Sequence, residues 1–146
     1  LRVSPEVLDR LERIDGQPVI RLGKSAVFTQ QDVRAIQLCK GAIRATINIL
    51  LGRAGLQAEA LERIMIAGGF GFHLNARNLE RIGLIPPETS KKVAFAGNAS
   101  RSGCAWLLND IVYRRFLENH VADIRHVSIA EHPGFMDLFV ECMEFP

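Results

Sequence analysis

One segment constrains this chain more than any other: Ile64-Met65-Ile66-Ala67-Gly68-Gly69-Phe70-Gly71. Four apolar residues end in two adjacent glycines. That pattern predicts a buried strand stopping at a turn where something must approach the backbone closely. Glycine there accepts positive φ and removes the Cβ that would stand in the way. Strand ends of this kind are where open α/β sheets receive ligands. A second such unit follows, Val93-Ala94-Phe95-Ala96 running into Gly97-Asn98. Both runs are apolar on both faces, which suits central parallel strands better than an alternating edge. With a helix between them, they should be neighbours joined by a right-handed crossover. Both glycine turns would then open on one edge of the sheet. The N–H groups of the helix after Asn98 could meet an anion there.

The surrounding elements read as α/β. Ser4-Pro5-Glu6 predicts a helix start, a capping hydroxyl followed by proline at the first helical position. Val7, Leu8, Leu11 and Ile14 would give that helix an apolar face, with Asp15-Gly16 ending it. Pro18 to Leu22 and Ala26 to Phe28 are strand candidates around Gly23, in a hairpin. The longest helix opens at Thr29, with Asp32 in its first turn and Gly55 past its end. Ile36, Cys39, Ile43, Ile47 and Leu50 form its apolar stripe, with Arg34, Gln37, Arg44 and Asn48 opposite. Asn75 caps a short helix reaching about Ile82. Asn98 or Ser100 caps a helix through Trp106, Leu107, Ile111 and Phe116. A last strand, roughly Arg125 to Ile129, precedes an amphipathic helix with Phe135, Leu138, Phe139 and Met143. Residues 1–28 read as a helix and hairpin left over from an upstream subdomain, and residues 29–146 as the main unit.

Composition excludes several classes. At 146 residues the chain is one domain or the second half of a larger one. The start carries neither a signal-peptide pattern nor an initiator Met, as expected of an excerpt from a longer chain. A net charge of +2, with basic pairs only at Lys91-Lys92 and Arg114-Arg115, argues against a nucleic-acid partner. No apolar run reaches the ~18 residues of a membrane span. Three scattered cysteines, Cys39, Cys104 and Cys142, argue for a reducing cytoplasm rather than a disulfide scaffold. Cys39 and Cys104 read as small buried hydrophobes. No CxxC is present to hold a cluster.

The sequence fails the common catalytic signatures. After Gly69-Phe70-Gly71 the third glycine of a dinucleotide fingerprint is replaced by Leu74, and no acidic residue ends the next strand. No P-loop, GxSxG or zinc-protease spacing occurs. His73, just past the glycine turn, reads as a surface histidine more readily than as pocket lining. No carboxylate pair suggests acid–base chemistry.

Five segments in series nevertheless resemble a known family. They are Thr29 through Arg44 (Thr-Gln-Gln-Asp-Val-Arg-Ala-Ile-Gln-Leu-Cys-Lys-Gly-Ala-Ile-Arg), Ile66 to Gly71, Ile82 to Pro86, Ala96 to Ser100, and Met143 to Pro146. Together they look like the C-terminal ATPase part of the reductive activators of corrinoid proteins. The resemblance implies an α/β fold, a partial ribonuclease-H-like (actin-like ATPase) subdomain with parallel central strands and helices on both faces. It implies that Gly68, Gly69, Phe70 and Gly71 form an adenosine-binding turn, with Asn98 a candidate by position. A β-branched residue at Gly69 would resist the positive φ expected there. It further implies a full-length, cytoplasmic, ATP-dependent iron–sulfur protein that reduces Co(II) to Co(I) in a corrinoid protein or corrinoid-dependent methyltransferase, possibly as a homodimer. ATP, Mg and the iron–sulfur cluster are cofactors of that full-length protein. The phosphate turns, metal carboxylates and cluster cysteines are expected upstream, because Asp15-Gly16 reads as following a helix. No cofactor and no catalysis are expected of this chain alone. The alternative reading is a non-enzymatic interaction or dimerisation module.

Overall fold

The computed structural model describes residues 5–146, and the side chains of Glu6, Phe70 and Phe72 fall outside that description. The Ser4 cap therefore lies outside the described residues. From Pro5 the order is α1 (Pro5–Leu8), β1 (Leu11–Ile14), β2 (Gln17–Arg21), β3 (Val27–Thr29) and α2 (Gln30–Ala54). There follow β4 (Ile64–Ala67), α3 (Ala76–Arg81), β5 (Val93–Gly97), α4 (Ala99–Asn109), α5 (Ile111–His120) and α6 (Phe135–Met143).

The first helix is much shorter than its apolar spacing suggested. Leu11–Ile14 is a strand, paired antiparallel with β2 from Leu11↔Ile20 to Ile14↔Gln17. The reason lies in Asp15-Gly16, whose φ values of 50° and 79° are both positive. That is the backbone of a two-residue hairpin turn, which twists with its strands as a helix end would not. Asp15-Gly16 thus joins two strands rather than ending a helix. Arg21 clamps the hairpin by donating to both carboxylate oxygens of Glu12 at 2.6 and 2.5 Å. β3 completes a three-stranded meander, Val19 opposite Thr29.

Thr29 caps the 25-residue helix α2 in a capping box: its hydroxyl accepts from the Asp32 N–H, and Asp32 accepts from the Thr29 N–H. The contact holds the Asp32 carboxyl below its ordinary range, through the Thr29 backbone first and then its hydroxyl. Gly55, at φ 65°, closes the other end in the left-handed conformation.

The packed face of α2 is not its apolar stripe. The buried positions are Lys40, Gly41, Ala45 and Ile49; the last three lie roughly 160° around the helix from the centre of the Ile36–Leu50 stripe at 100° per residue, while Lys40 borders the stripe. Helix α6 lies on this face. A Cβ built on Gly41 would stand 2.8 Å from Met143 Cγ and 3.1 Å from the Phe139 carbonyl oxygen. Only glycine lets the two helices come this close. Cys39 and Cys104 are exposed, contrary to their expected burial.

Two further departures are local. The expected single helix after Asn98 divides at Asp110, whose extended backbone (φ −129°, ψ 106°) ends α4 and whose carboxylate accepts from Val112 and Tyr113 N–H to start α5. An aspartate is a stronger cap than a helix interior residue. The stretch Arg125 to Ile129 forms no strand. Its β-favouring valine and isoleucine find no neighbouring strand to complete a ladder, and propensity alone does not make one.

Candidate functional site

The two strands meet as parallel neighbours, but in a two-stranded sheet with Met65 and Phe95 exposed, so neither is the buried central strand expected of a run apolar on both faces. β4 and β5 are parallel neighbours, Ile64 opposite Val93 and Ile66 opposite Phe95. A one-residue shift then places Ala67 opposite Gly97. A bulge of this sort re-aims the backbone at the end of a ladder. Gly68 N–H donates to the Gly97 carbonyl at 2.7 Å. The two glycine turns are therefore stitched together on one edge.

The positive φ values fall at Gly68 (106°) and Gly97 (60°), not at Gly69. The conformational demand expected at Gly69 belongs to its neighbour. Gly69 begins a 3-10 turn running to His73. A Cβ built on Gly69 meets nothing within 4 Å, and the same holds at Gly68. Gly71 is different: its Cβ would lie 3.4 Å from the Phe95 ring and 3.8 Å from an Ile66 methyl. Gly71 seats the turn on the sheet, while Gly69 meets no such neighbour among the described residues. Of Phe70, only the backbone in this turn is described. His73 closes the turn and is exposed.

Asn98 stands at the end of β5, but its side chain is occupied. Its carboxamide oxygen accepts from the Arg101 N–H at 3.0 Å and caps α4. The backbone N–H groups of that first turn remain the polar donors at this edge. Gly68, Gly69, Gly71 and Asn98 thus come together, as one lip formed by two adjacent turns.

A second polar cluster was not anticipated. Lys40 is 2% exposed, and its ammonium donates to the Cys142 and Glu144 carbonyls at 2.7 and 2.5 Å. It also lies 5.2 Å from the centre of the Phe145 ring. Burial depresses its pKa most; the Cys142 thiol opposes that shift and Arg44 adds to it. Burial likewise raises the Cys142 thiol, against the pull of Arg44. A cavity of about 370 Å³ beside it is lined by Lys40, Arg44, Gly83, Ile85, Cys142 and Pro146. None of the strand-end glycines takes part. Lys40 secures the C-terminal segment, whereas the Arg44 Nη1 is buried without a hydrogen-bond partner among the described residues. The sequence signal for it was the dipeptide Lys40-Gly41 interrupting a helix face otherwise read as polar.

Glu80 performs a similar service for the loop after α3. Its two oxygens accept from the Glu88 and Ser90 N–H groups, each at 2.8 Å. These contacts, the Ser90 side chain first, hold its carboxyl below the usual range. They also secure Glu88 at φ 61°, a left-handed conformation unusual for its type.

Comparison with known proteins gives this geometry its place. Residues 11–146 match the family model described as the C-terminal domain of RACo, the ASKHA domain. The chain belongs to this family. It is 31% identical over 118 residues to the corrinoid activation enzyme RamQ of Eubacterium limosum, covering 81% of this chain and 20% of that protein. It is 30% identical over 111 residues to the [Co(II) methylated amine-specific corrinoid protein] reductase of Methanosarcina barkeri, covering 76% of this chain and 20% of that protein. Among solved structures, a reductive activator for corrinoid, iron–sulfur protein superposes with a TM-score of 0.84 at 26% identity, over 95% of this chain and 23% of that one. The chain therefore spans about a fifth of the length of the curated relatives it matches. The fold is the ASKHA, actin-like α/β arrangement, with the β4–β5 parallel pair at the candidate site. Among the described residues, no helix is long and apolar enough to cross a membrane.

Proposed function

We propose that this chain is the nucleotide-side portion of an ATP-dependent activator that returns a corrinoid protein from Co(II) to Co(I). Gly68, Gly69, Phe70 and Gly71 form the wall against which the adenosine packs, and Asn98 holds the adjoining helix start in place. The observation that carries this reading is the joined pair of turns. Gly68 and Gly97 both adopt positive φ and share a hydrogen bond, and a Cβ built on Gly69 meets no atom of the described residues within 4 Å, its chain neighbours aside. A glycine-rich lip of this kind lets a planar ligand lie close to the backbone. The related proteins named for corrinoid activation and corrinoid-protein reduction support the reaction.

Within that reading, the redox cluster, Mg and the carboxylates that hold it belong to the remainder of the activator, and the chain alone turns over no ATP. Phosphoryl transfer depends on positioning and charge neutralisation around the phosphates, which an adenosine wall does not supply. The partner is a corrinoid protein or a corrinoid-dependent methyltransferase, and the compartment is the cytoplasm. The division of the chain into an N-terminal piece and a main unit is kept as a proposal, with the boundary after β3, which runs to Thr29, rather than after residue 28.

The test is calorimetric titration of a non-hydrolysable ATP analogue into the full-length activator and its Gly69→Val variant. At least a tenfold loss of affinity, with an unchanged melting temperature, is expected. Equal affinity in a folded variant would reduce Gly68–Gly71 to a turn and overturn the adenosine assignment.

A further inference from the structure

We propose that the cavity between α2, the loop after α3 and the C-terminal segment is a binding site for a small organic carboxylate, with Arg44 as its charge partner. The cavity holds about 370 Å³ and is walled by Lys40, Arg44, Gly83, Ile85, Cys142 and Pro146. That volume lies at the small end of pockets that take small molecules, ~300–1,000 Å³. No residue of the strand-end lip lines it, so the site is separate from the proposed nucleotide wall. Three segments far apart in sequence build it, and Gly83 lets them close together. At its φ of 77°, a Cβ would stand 3.1 Å from Pro146 Cγ and 3.3 Å from the Lys40 ammonium.

Charge selects the ligand class. Two of the lining side chains are cations withdrawn from water. Lys40 is satisfied, since two carbonyls and the Phe145 ring receive its ammonium. Arg44 is not. It is half-buried, and its Nη1 is buried without a hydrogen-bond partner among the described residues. Such a nitrogen costs free energy until a partner reaches it. Among those residues the salt bridge is Arg21–Glu12, so neither Lys40 nor Arg44 is ion-paired. Two acids line the cavity as well, but both are otherwise engaged. Glu80 accepts from the Glu88 and Ser90 N–H groups, and Glu144 serves Lys40 through its main-chain carbonyl. Arg81 adds a third positive side chain. Burial raises the Cys142 thiol, which therefore supplies no negative charge at neutral pH. A guanidinium is a planar fork of N–H donors matched to a carboxylate. The walls formed by Ile85, Pro87 and Pro146 are apolar, and they offer packing to an organic body that inorganic phosphate lacks.

Benzoate, its neutral analogue benzamide and inorganic phosphate are each titrated calorimetrically into the full-length activator without nucleotide. We expect benzoate to bind in the millimolar range or tighter, and benzamide at least tenfold more weakly. Arg44→Gln should lower benzoate affinity at least tenfold and leave the affinity for a non-hydrolysable ATP analogue unchanged. Arg44→Lys keeps the charge without the planar fork and should lose at least threefold. It decides the matter if a thermal melt shows that the Gln variant has not folded, and if neither variant folds, the benzoate–benzamide comparison on the parent decides. Absence of benzoate binding in the parent overturns the proposal, because the cavity is then filled or closed in the longer polypeptide. Equal binding of benzoate and benzamide overturns it too, as does benzoate binding that neither folded Arg44 variant weakens. Phosphate bound as tightly as benzoate makes this a site for a bare oxyanion and removes the carboxylate assignment.

Discussion

Gly41 and Gly69 are the same residue put to opposite uses. At Gly41 the missing Cβ is filled by the molecule itself, with Met143 Cγ 2.8 Å from where it would be. At Gly69 the same absence leaves open space. Around Gly41 a buried ammonium, two carbonyls and an aromatic ring complete a closed seam between α2 and the C-terminal segment. Gly69 lies at the edge of a two-stranded sheet, where the Gly68 and Gly97 turns are joined backbone to backbone. A filled gap is a packing feature. An unfilled one beside two positive-φ turns is the feature on which the proposed nucleotide site rests.

The comparison can be broken most forcefully at the seam. Gly41→Val drives a branched side chain into Met143 and the Phe139 carbonyl, and overpacking of this kind should cost about 3 kcal/mol. A denaturant melt of the activator checks it; a loss below about 0.5 kcal/mol would mean that α6 can slide away freely. Lys40→Met is next. It keeps the volume of the stem but leaves the Cys142 and Glu144 carbonyls without their donor, for a loss of about 2 kcal/mol. The same variant removes a charge whose burial is itself unfavourable, so the measured loss is the net of the two. An unchanged melt would show that burial of the ammonium costs as much as its hydrogen bonds return.

At the lip the expected stability effects are smaller and the functional ones larger. Gly68→Ala forces a side chain onto φ 106° and should cost about 1–2 kcal/mol of stability. Gly69→Val should change stability by less than about 0.5 kcal/mol, because its Cβ meets nothing, while nucleotide affinity falls at least tenfold. If the two variants exchange these signatures, the turn's strain and its ligand contact have been assigned to the wrong glycines. The smallest effect concerns pH. The Glu80 carboxyl titrates below its ordinary value of 4.5 in the folded chain. Its contribution is therefore present above pH 4.5 and is lost as the pH falls through the lowered folded value. Glu80→Gln should flatten the acid limb of a stability–pH profile and leave the neutral region nearly level. An unaltered acid limb would show that the loop after α3 holds without that carboxylate.

Much of the candidate site was legible before any coordinates. Apolar runs ending in Gly68-Gly69 and Gly97-Asn98 announced two parallel strands with their turns on one edge, because continuous apolarity and an intervening helix leave few other arrangements. The caps at Thr29, Asn75 and Asn98 were legible for a similar reason, since each satisfies backbone N–H groups only a few residues away. Asp15-Gly16 is a hairpin-turn dipeptide in the sequence too, and its turn chemistry outweighs the helical spacing of Leu8 and Leu11.

What the sequence by itself determined is local and directional: where strands stop, where helices begin, which backbone needs glycine, and which family the series of segments resembles. What only the tertiary structure decided is which partner each surface meets. Periodicity marked an apolar stripe on α2 but carried no information about what would lie on it, since hydrophobic burial has no direction. The seam formed on the other side, through Gly41 and through a lysine hydrogen-bonded to a carbonyl 102 residues away. Close approach without a Cβ and a buried ammonium between two carbonyls both require a specific partner held in place by the rest of the chain. No local pattern around Lys40 and Gly41 could name that partner.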